Sequence, residues 1–175
     1  MEDFNELEWI NDFFNDAIDL QIEGIERVRN FALFWNMFEN YACRNFANVA
    51  RIKDFVDELE EDIVSAELLN PYVEYFIERY TNHDNQIDIR GLLFRTNRSD
   101  SQAKEKVINV LSREETNPKE TLEALLLIIL RFRNNLFHGN KQIVNLNSQV
   151  ENFAVANKLL ANVLELMRLN QLIVL

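Results

Sequence analysis

Apolar residues recur at steps of three and four along most of this sequence. Near the N-terminus, for example, Leu7, Ile10 and Phe14 follow one another at this spacing. Such spacing places apolar side chains on one side of an α-helix, which completes a turn in 3.6 residues. The chain also contains only three glycines and two prolines in 175 residues, too few turn-forming residues for a many-stranded sheet. The sequence therefore predicts an all-α protein.

The apolar stripes and their flanking residues give the approximate positions of the helices. The longest stripes lie at about 22–47, 118–138 and 146–170, and shorter helical segments are expected at 3–20, 52–69, 71–80 and 99–113. Pro71 is placed at the start of its helix, where its missing N–H is harmless. We expect one domain over residues 1–175, folded as an up-and-down bundle of four to six helices. A short irregular or strand-like segment is expected near 86–95.

Charge is distributed unevenly along the chain, whose net charge is -11. Residues 1–26 contain nine Asp and Glu and no Lys or Arg, and residues 54–67 contain seven more with no basic residue. In contrast, residues 90–113 contain six basic residues and two acidic ones. A solvated helical face explains either pattern, because charge on helices mostly serves solubility. The alternative for 90–113 is a basic surface that binds phosphates.

The sequence shows no membrane segment and no metal or cofactor motif. The longest apolar run is far shorter than the roughly 20 residues that span a bilayer, and the N-terminus is acidic where a secretory signal is basic. The single cysteine, Cys43, has no second thiol for a disulfide or a metal site. We therefore expect a cytoplasmic protein without a cofactor, a metal or a membrane partner.

The most unusual stretch is RFRNNLFHGNK at 131–141, which follows the apolar run ALLLIIL. At the spacing of the preceding stripe, the next inward position is Arg133. On an ideal helix Asn134 lies about 100° and His138 about 140° from Arg133, so the two ionisable groups flank one face. They can therefore converge on one ligand. The structural alternative is a helix C-terminus carrying favourable cations.

An arginine and a histidine without metal-ligand companions are typical of RNA cleavage that needs no metal. RNA carries its own nucleophile, the 2′-hydroxyl, and imidazole can take up its proton near neutral pH. A guanidinium can hold the phosphate and stabilise its developing charge. Arg133 and His138 are thus the candidate catalytic residues. Lys141, just beyond the helix, is a candidate phosphate contact or a plain loop residue.

RNNLFHG at 133–139 resembles the R-x4-6-H signature of the HEPN superfamily (higher eukaryotes and prokaryotes nucleotide-binding). The aromatic-rich segment FALFWNMFENY in the second predicted helix is similar to the helix that packs beside this motif in several of its families. The resemblance implies a bundle of four or five helices, frequently dimeric. It also implies a metal-independent endoribonuclease, of the kind that acts as a toxin or antiviral effector in prokaryotes.

Carried over by position, the resemblance implies that Arg133 and His138 are catalytic and that Asn134 supports them. Glu39 is a further candidate for orienting an active-site cation, and an acid on the polar edge of its helix is the alternative. The expected partners are RNA, a second copy of the chain and, for a toxin, an antitoxin or regulatory protein. The competing hypothesis is a non-catalytic helical module that binds a nucleotide or a protein.

Overall fold

The computed structural model describes residues 5–14, 20–137 and 146–173, and within these ranges the protein is all-helical. The prediction of an all-α fold is confirmed. The described residues form seven α-helices, whereas four to six were expected. The elements are α1 (Glu6–Phe13), α2 (Ile22–Tyr41), α3 (Val49–Glu58), α4 (Ala66–Tyr80), α5 (Arg98–Leu111), α6 (Pro118–Phe137) and α7 (Val150–Leu169), with 3₁₀ turns at Arg90–Leu92 and Asn147–Gln149.

Helix α6 forms the centre of the bundle. Every residue from Thr121 to Phe132 is buried, because α3, α4 and α5 all pack around this helix. A helix that is apolar on all sides is stable only when other elements enclose it. The apolar run at 124–130 therefore accounts for the central position of α6.

Side-chain contacts give the relative directions of the helices. Lys106 on α5 binds Glu120 near the start of α6, whereas Asp100, at the start of α5, binds Arg131 near the end of α6. The two helices are thus antiparallel. Helices α2 and α7 run parallel, since Gly24 lies against Val150 at their starts and one groove joins their C-terminal halves.

Aromatic side chains connect the helices through the core. Phe132 on α6 contacts Phe76 on α4, with ring centroids 6.0 Å apart, and Phe153 on α7, at 6.3 Å. Phe153 in turn lies 5.0 Å from Phe31 on α2. Burial of large aromatic side chains of this kind dominates core energetics. Phe132 thus ties the C-terminal part of α6 to three other helices through one continuous aromatic cluster.

The boundary between α3 and α4 differs from the predicted one. Helix α3 ends at Glu58, and α4 begins at Ala66, so Pro71 lies inside α4 and does not open it. Ser65 caps the helix, because its Oγ accepts a hydrogen bond from the Leu68 amide at 3.2 Å. Leu69, only 1% exposed, anchors the turn before Pro71 in the core. Local capping and burial outweigh the helix-breaking tendency of proline.

The connection between α4 and α5 is irregular, as predicted for 86–95. Thr81 and Ile87 form an isolated bridge, and a 3₁₀ turn follows at Arg90–Leu92. Leu93 has a φ of 53°, in the left-handed region. Leu92 is fully buried, so this segment packs firmly against the bundle.

No helix within the described ranges combines the length and the apolar character needed to cross a membrane.

Candidate functional site

The candidate site begins in the last turn of α6, where the chain carries Arg133 and Asn134. His138 and Lys141 lie in 138–145, outside the described residues, so their predicted roles stay predictions. The structure describes Arg133, Asn134 and Glu39 among the candidate residues.

Arg133 is half-buried and is held by its own helix. Its Nη1 donates a hydrogen bond to Oδ1 of Asn134 at 3.3 Å. Its guanidinium carbon lies 5.6 Å from the ring centroid of Phe137, one turn later. Cation–π contacts of this kind favour a defined position of the guanidinium. Among the described residues no carboxylate forms an ion pair with Arg133, which leaves its charge available to an anion.

The inward position at the end of α6 belongs to Arg131, and Arg133 does not occupy it. The side chain of Arg131 is 5% exposed, and Asn135, one turn further, is fully buried. On an ideal helix Arg131 and Asn135 lie about 40° apart, whereas Arg133 is about 160° away from Arg131 on the other side. Arg133, at the next step of the Leu122–Leu126–Ile129 spacing, is half-buried and not fully enclosed, whereas the face of α6 that meets the 91–100 segment carries the buried Arg131 and Asn135.

Arg131 and Asn135 hold the irregular segment against α6. The guanidinium of Arg131 donates to the carbonyl oxygens of Leu92 at 3.1 Å and Leu93 at 2.6 Å, and to Oδ2 of Asp100 at 3.2 Å. Nδ2 of Asn135 also contacts the Leu92 carbonyl, at 3.3 Å. These bonds satisfy backbone groups that the turn leaves unpaired.

Burial of Arg131 has an electrostatic consequence. Desolvation lowers the pKa of the Arg131 guanidinium, the Asp100 carboxylate opposes this shift, and Arg95 adds a repulsive contribution. An arginine starts from so high a pKa that it stays charged under these conditions. The Arg131–Asp100 pair is thus a buried charged contact that positions the start of α5 beside the end of α6.

The sequence interpretation missed Arg131, Asn135 and Asp100 as a structural group. A signal was present, because Arg131 and Asn135 are polar residues four positions apart directly after the apolar run. Residues at this spacing share a helix face. When that face is buried, their polar groups need hydrogen-bond partners from whatever packs against it. The partner lies in 91–100, which the sequence alone does not connect to α6.

Glu39 has a local role after the end of α2. Its Oε1 accepts a hydrogen bond from the Ala47 amide at 2.9 Å, and its carbonyl oxygen accepts one from the Asn45 amide at 2.9 Å. These bonds close a turn in which Arg44 and Asn45 have positive φ angles of 53° and 65°. Within the described residues Glu39 forms no ion pair with Arg133. The predicted orienting role of Glu39 stays a prediction.

Cys43 lies in the same turn and is fully buried. Burial, with the nearby Glu39 carboxylate, raises the pKa of its thiol to about 12, against a smaller opposite effect of Arg51. The thiol is therefore protonated near neutral pH, which makes it a poor nucleophile.

A polar cleft of about 380 Å³ opens beside the end of α6. Arg79 and Arg90 contribute positive charge to its lining, and Asp88 contributes a carboxylate. The carbonyl oxygen of Gly91, in the wall of the cleft, accepts a hydrogen bond from Nδ2 of Asn135 at 3.5 Å. Gly91 thus separates the cleft from the buried Asn135 of α6.

The described residues contain no group of three or more His, Cys, Asp or Glu side chains that are placed to hold a metal ion.

No protein-family model, curated protein or solved structure matches this chain.

Proposed function

We propose that this chain is a metal-independent endoribonuclease of the HEPN type, with Arg133 and His138 as its catalytic residues. The observation that carries the proposal is the state of Arg133. Its guanidinium is half-buried, oriented by Asn134 and Phe137, and without a carboxylate partner among the described residues. A preorganised, uncompensated guanidinium is what stabilisation of a phosphoryl transition state requires.

In the proposed reaction the 2′-oxygen of one nucleotide attacks the adjacent phosphorus. His138 takes the proton from the 2′-hydroxyl, the bond from phosphorus to the 5′-oxygen breaks, and the leaving 5′-oxygen takes a proton from water, while His138 returns its proton to the solvent. Arg133 donates hydrogen bonds to the non-bridging oxygens as negative charge builds on them. The products end in a 2′,3′-cyclic phosphate and a 5′-hydroxyl.

A homodimer is part of the proposal. One Arg–His pair supplies only part of an efficient site, since general acid–base catalysis contributes about 10²–10⁴-fold. Two copies related by a two-fold axis bring identical patches together and double the number of catalytic groups. The cellular role proposed for such an enzyme is that of a prokaryotic toxin or antiviral effector, controlled by an antitoxin or regulatory protein.

The test is cleavage of single-stranded RNA by the purified full chain in excess EDTA. We expect the wild type to cut the RNA and to leave cyclic phosphate termini. Arg133→Ala and His138→Ala should each lower cleavage by at least about a hundredfold, and replacing the ribose by 2′-deoxyribose should block it, because the nucleophile is then missing.

Two matched variants control for loss of a charge or an imidazole. Arg29→Ala removes an exposed arginine of α2 that pairs with Glu26, and His83→Ala removes an exposed histidine of the α4–α5 connection. Both should cut RNA at the wild-type rate. RNA that stays intact with the wild type contradicts the nuclease proposal. Binding of RNA or nucleotide without cleavage would then support the non-catalytic module.

A further inference from the structure

The start of α5 carries positive charge that the fold does not neutralise. Most described Lys and Arg side chains form ion pairs, including Arg44, Lys53 and Arg113. Within the described ranges, the cations without an ion pair are Arg79, Arg95, Arg98, Lys104, Arg133 and Lys158. Arg95, Arg98 and Lys104 fall within ten consecutive residues, and we refer to them as the basic ridge.

Helix stability does not explain the basic ridge. The N-terminus of a helix carries a partial positive charge, so cations there are unfavourable. Arg95 precedes the capping residue Asn97, and Arg98 is the first residue of α5. All three ridge residues are exposed. A chain with net charge -11 thus keeps three exposed cations without an ion pair among its described residues, and the helix dipole opposes the charge of Arg98.

The buried Arg131–Asp100 contact fixes the backbone of the ridge beside the C-terminal part of α6, on the side of the helix opposite Arg133. Oδ2 of Asp100 accepts hydrogen bonds from the Arg95 amide at 2.8 Å and from Nη1 of Arg131 at 3.2 Å. One carboxylate oxygen therefore joins the backbone of the ridge to the C-terminal part of α6. Asp100 is the only carboxylate in this contact, and it is already bound to Arg131, so it does not neutralise the guanidinium of Arg95.

Lys104 is exposed on α5, six residues after Arg98, and extends the ridge along the helix. It lowers the pKa of Asp88 electrostatically, after the larger effect of the Arg90 side chain on that carboxyl. Asp88 lines the polar cleft together with Arg90, so the charge of Lys104 acts on one wall of that cleft. Several phosphates of one strand, in contrast to a single small anion, can occupy such an extended surface.

We infer that the basic ridge binds the backbone of single-stranded RNA and leads it to the end of α6. This inference rests on the proposed function for the identity of the ligand, and it assigns the ridge no role in the chemical step. The ridge residues contact phosphates on either side of the scissile bond. They increase affinity for RNA, and they do so in a salt-dependent, sequence-independent manner.

The test measures binding of a fluorescently labelled, fully 2′-O-methylated single-stranded RNA to the full chain by anisotropy. The methyl group removes the nucleophile, so binding is measured without cleavage. The ridge variant carries Arg95→Gln, Arg98→Gln and Lys104→Gln. At about 0.1 M salt we expect its affinity to fall roughly ten- to a hundredfold, and the slope of log K against log salt to decrease by about 2.

The matched control removes the same charge elsewhere, through Arg27→Gln, Arg29→Gln and Lys158→Gln. These residues lie on α2 and α7, which pack against each other, whereas α5 packs mainly against α6. Less than a twofold change is expected for this variant. A third variant, Arg95→Lys, Arg98→Lys and Lys104→Arg, keeps the charge and should retain the salt slope.

Equal weakening by the ridge and control variants would show a nonspecific charge effect and overturn the inference. Unchanged RNA affinity of the ridge variant would overturn it as well, and would point to an acidic protein as the ligand of the ridge. Failure of the nuclease proposal is distinguishable, because it appears as intact unmodified RNA in the cleavage assay. Ridge-dependent binding together with intact RNA would leave the ridge as an RNA-binding surface and reject catalysis.

Discussion

Arg131 and Arg133 lie two residues apart in α6 and have opposite environments. Arg131 is buried, and two carbonyl oxygens and the Asp100 carboxylate surround its guanidinium. Arg133 is half-buried, donates a hydrogen bond to Asn134, lies over the Phe137 ring, and has no acidic partner among the described residues. The difference shows how one helix turn serves two purposes: one face holds the fold together and the other presents charge.

The two environments have different energetic consequences. Taking a guanidinium out of water costs several kcal/mol, and only complete hydrogen bonding compensates for it. Arg131 has that compensation, so removing either partner leaves buried polar groups unsatisfied. Arg133 keeps part of its hydration, so its removal costs the fold little. Substitutions at the two positions therefore separate stability from activity.

The largest effect is expected for Arg131→Met. The substitution leaves the Asp100 carboxylate and the Leu93 carbonyl without their partner, which should lower the free energy of unfolding by about 3–5 kcal/mol. Urea denaturation followed by circular dichroism measures the change. Arg133→Met is the matched control and should cost less than about 1 kcal/mol. Equal destabilisation by the two variants would contradict the structural role of Arg131.

A second effect distinguishes the two arginines by activity. Arg133→Ala should lower the rate of RNA cleavage roughly 10²–10³-fold, the loss typical of one charge-stabilising donor. The melting temperature should change little, because no described side chain beyond its own helix turn depends on Arg133. The single-turnover cleavage rate and a thermal melt of the same preparation check both expectations. A folded Arg133→Ala protein with wild-type cleavage would refute the assignment.

A smaller effect is expected for Asn135→Ala on the stabilising face. The substitution removes the hydrogen bond to the Leu92 carbonyl, which keeps its bond from Arg131. It also removes Oδ1 of Asn135, a buried acceptor that has no hydrogen-bond partner among the described residues. The net cost should therefore be about 1 kcal/mol, measured by urea denaturation. A cost as large as that of Arg131→Met would show that Asn135, and not Arg131, is the principal anchor of the segment.

The smallest effect concerns the exposed Asp88–Arg90 pair at the edge of the same segment. Hydrogen bonds from Arg90 lower the pKa of Asp88 from 3.8 to about 2. A lowered pKa in the folded state means that the pair contributes stability above pH 3.8 and loses it as the pH falls towards 2. Carboxyl NMR titration should show this shift. In Arg90→Gln the pKa of Asp88 should return towards its ordinary value, and an unchanged pKa would exclude Arg90 as the cause.

Much of the helical layout is predictable because it depends on neighbouring residues. Helix α6 was expected at 118–138 and lies at Pro118–Phe137, opened by the Asn117 cap that accepts from the Lys119 amide. The expected end of α2 near 47 is wrong, because the helix ends at Tyr41 and Glu39 closes the following turn. A carboxylate that caps a turn eight residues later gives no periodic signal.

The candidate site was predictable only in part. The motif residues Arg133 and Asn134 lie together on the last turn of α6, at the spacing that the sequence dictates. The anchoring role of Arg131 depends on Leu92, Leu93 and Asp100, which lie more than thirty residues earlier in the chain. Contacts at that separation follow from packing, so no local pattern reports them.

The sequence by itself determined an all-α protein whose central helix contains a long apolar run, since periodicity, capping residues and scarce glycine act over a few neighbouring positions. Only the tertiary structure decided which arginine is enclosed, where Pro71 lies within α4, and that the start of α5 sits beside the end of α6. The physical reason is that the free energy of burying a charge depends on its partners. Those partners come from distant parts of the chain and meet only when the helices pack.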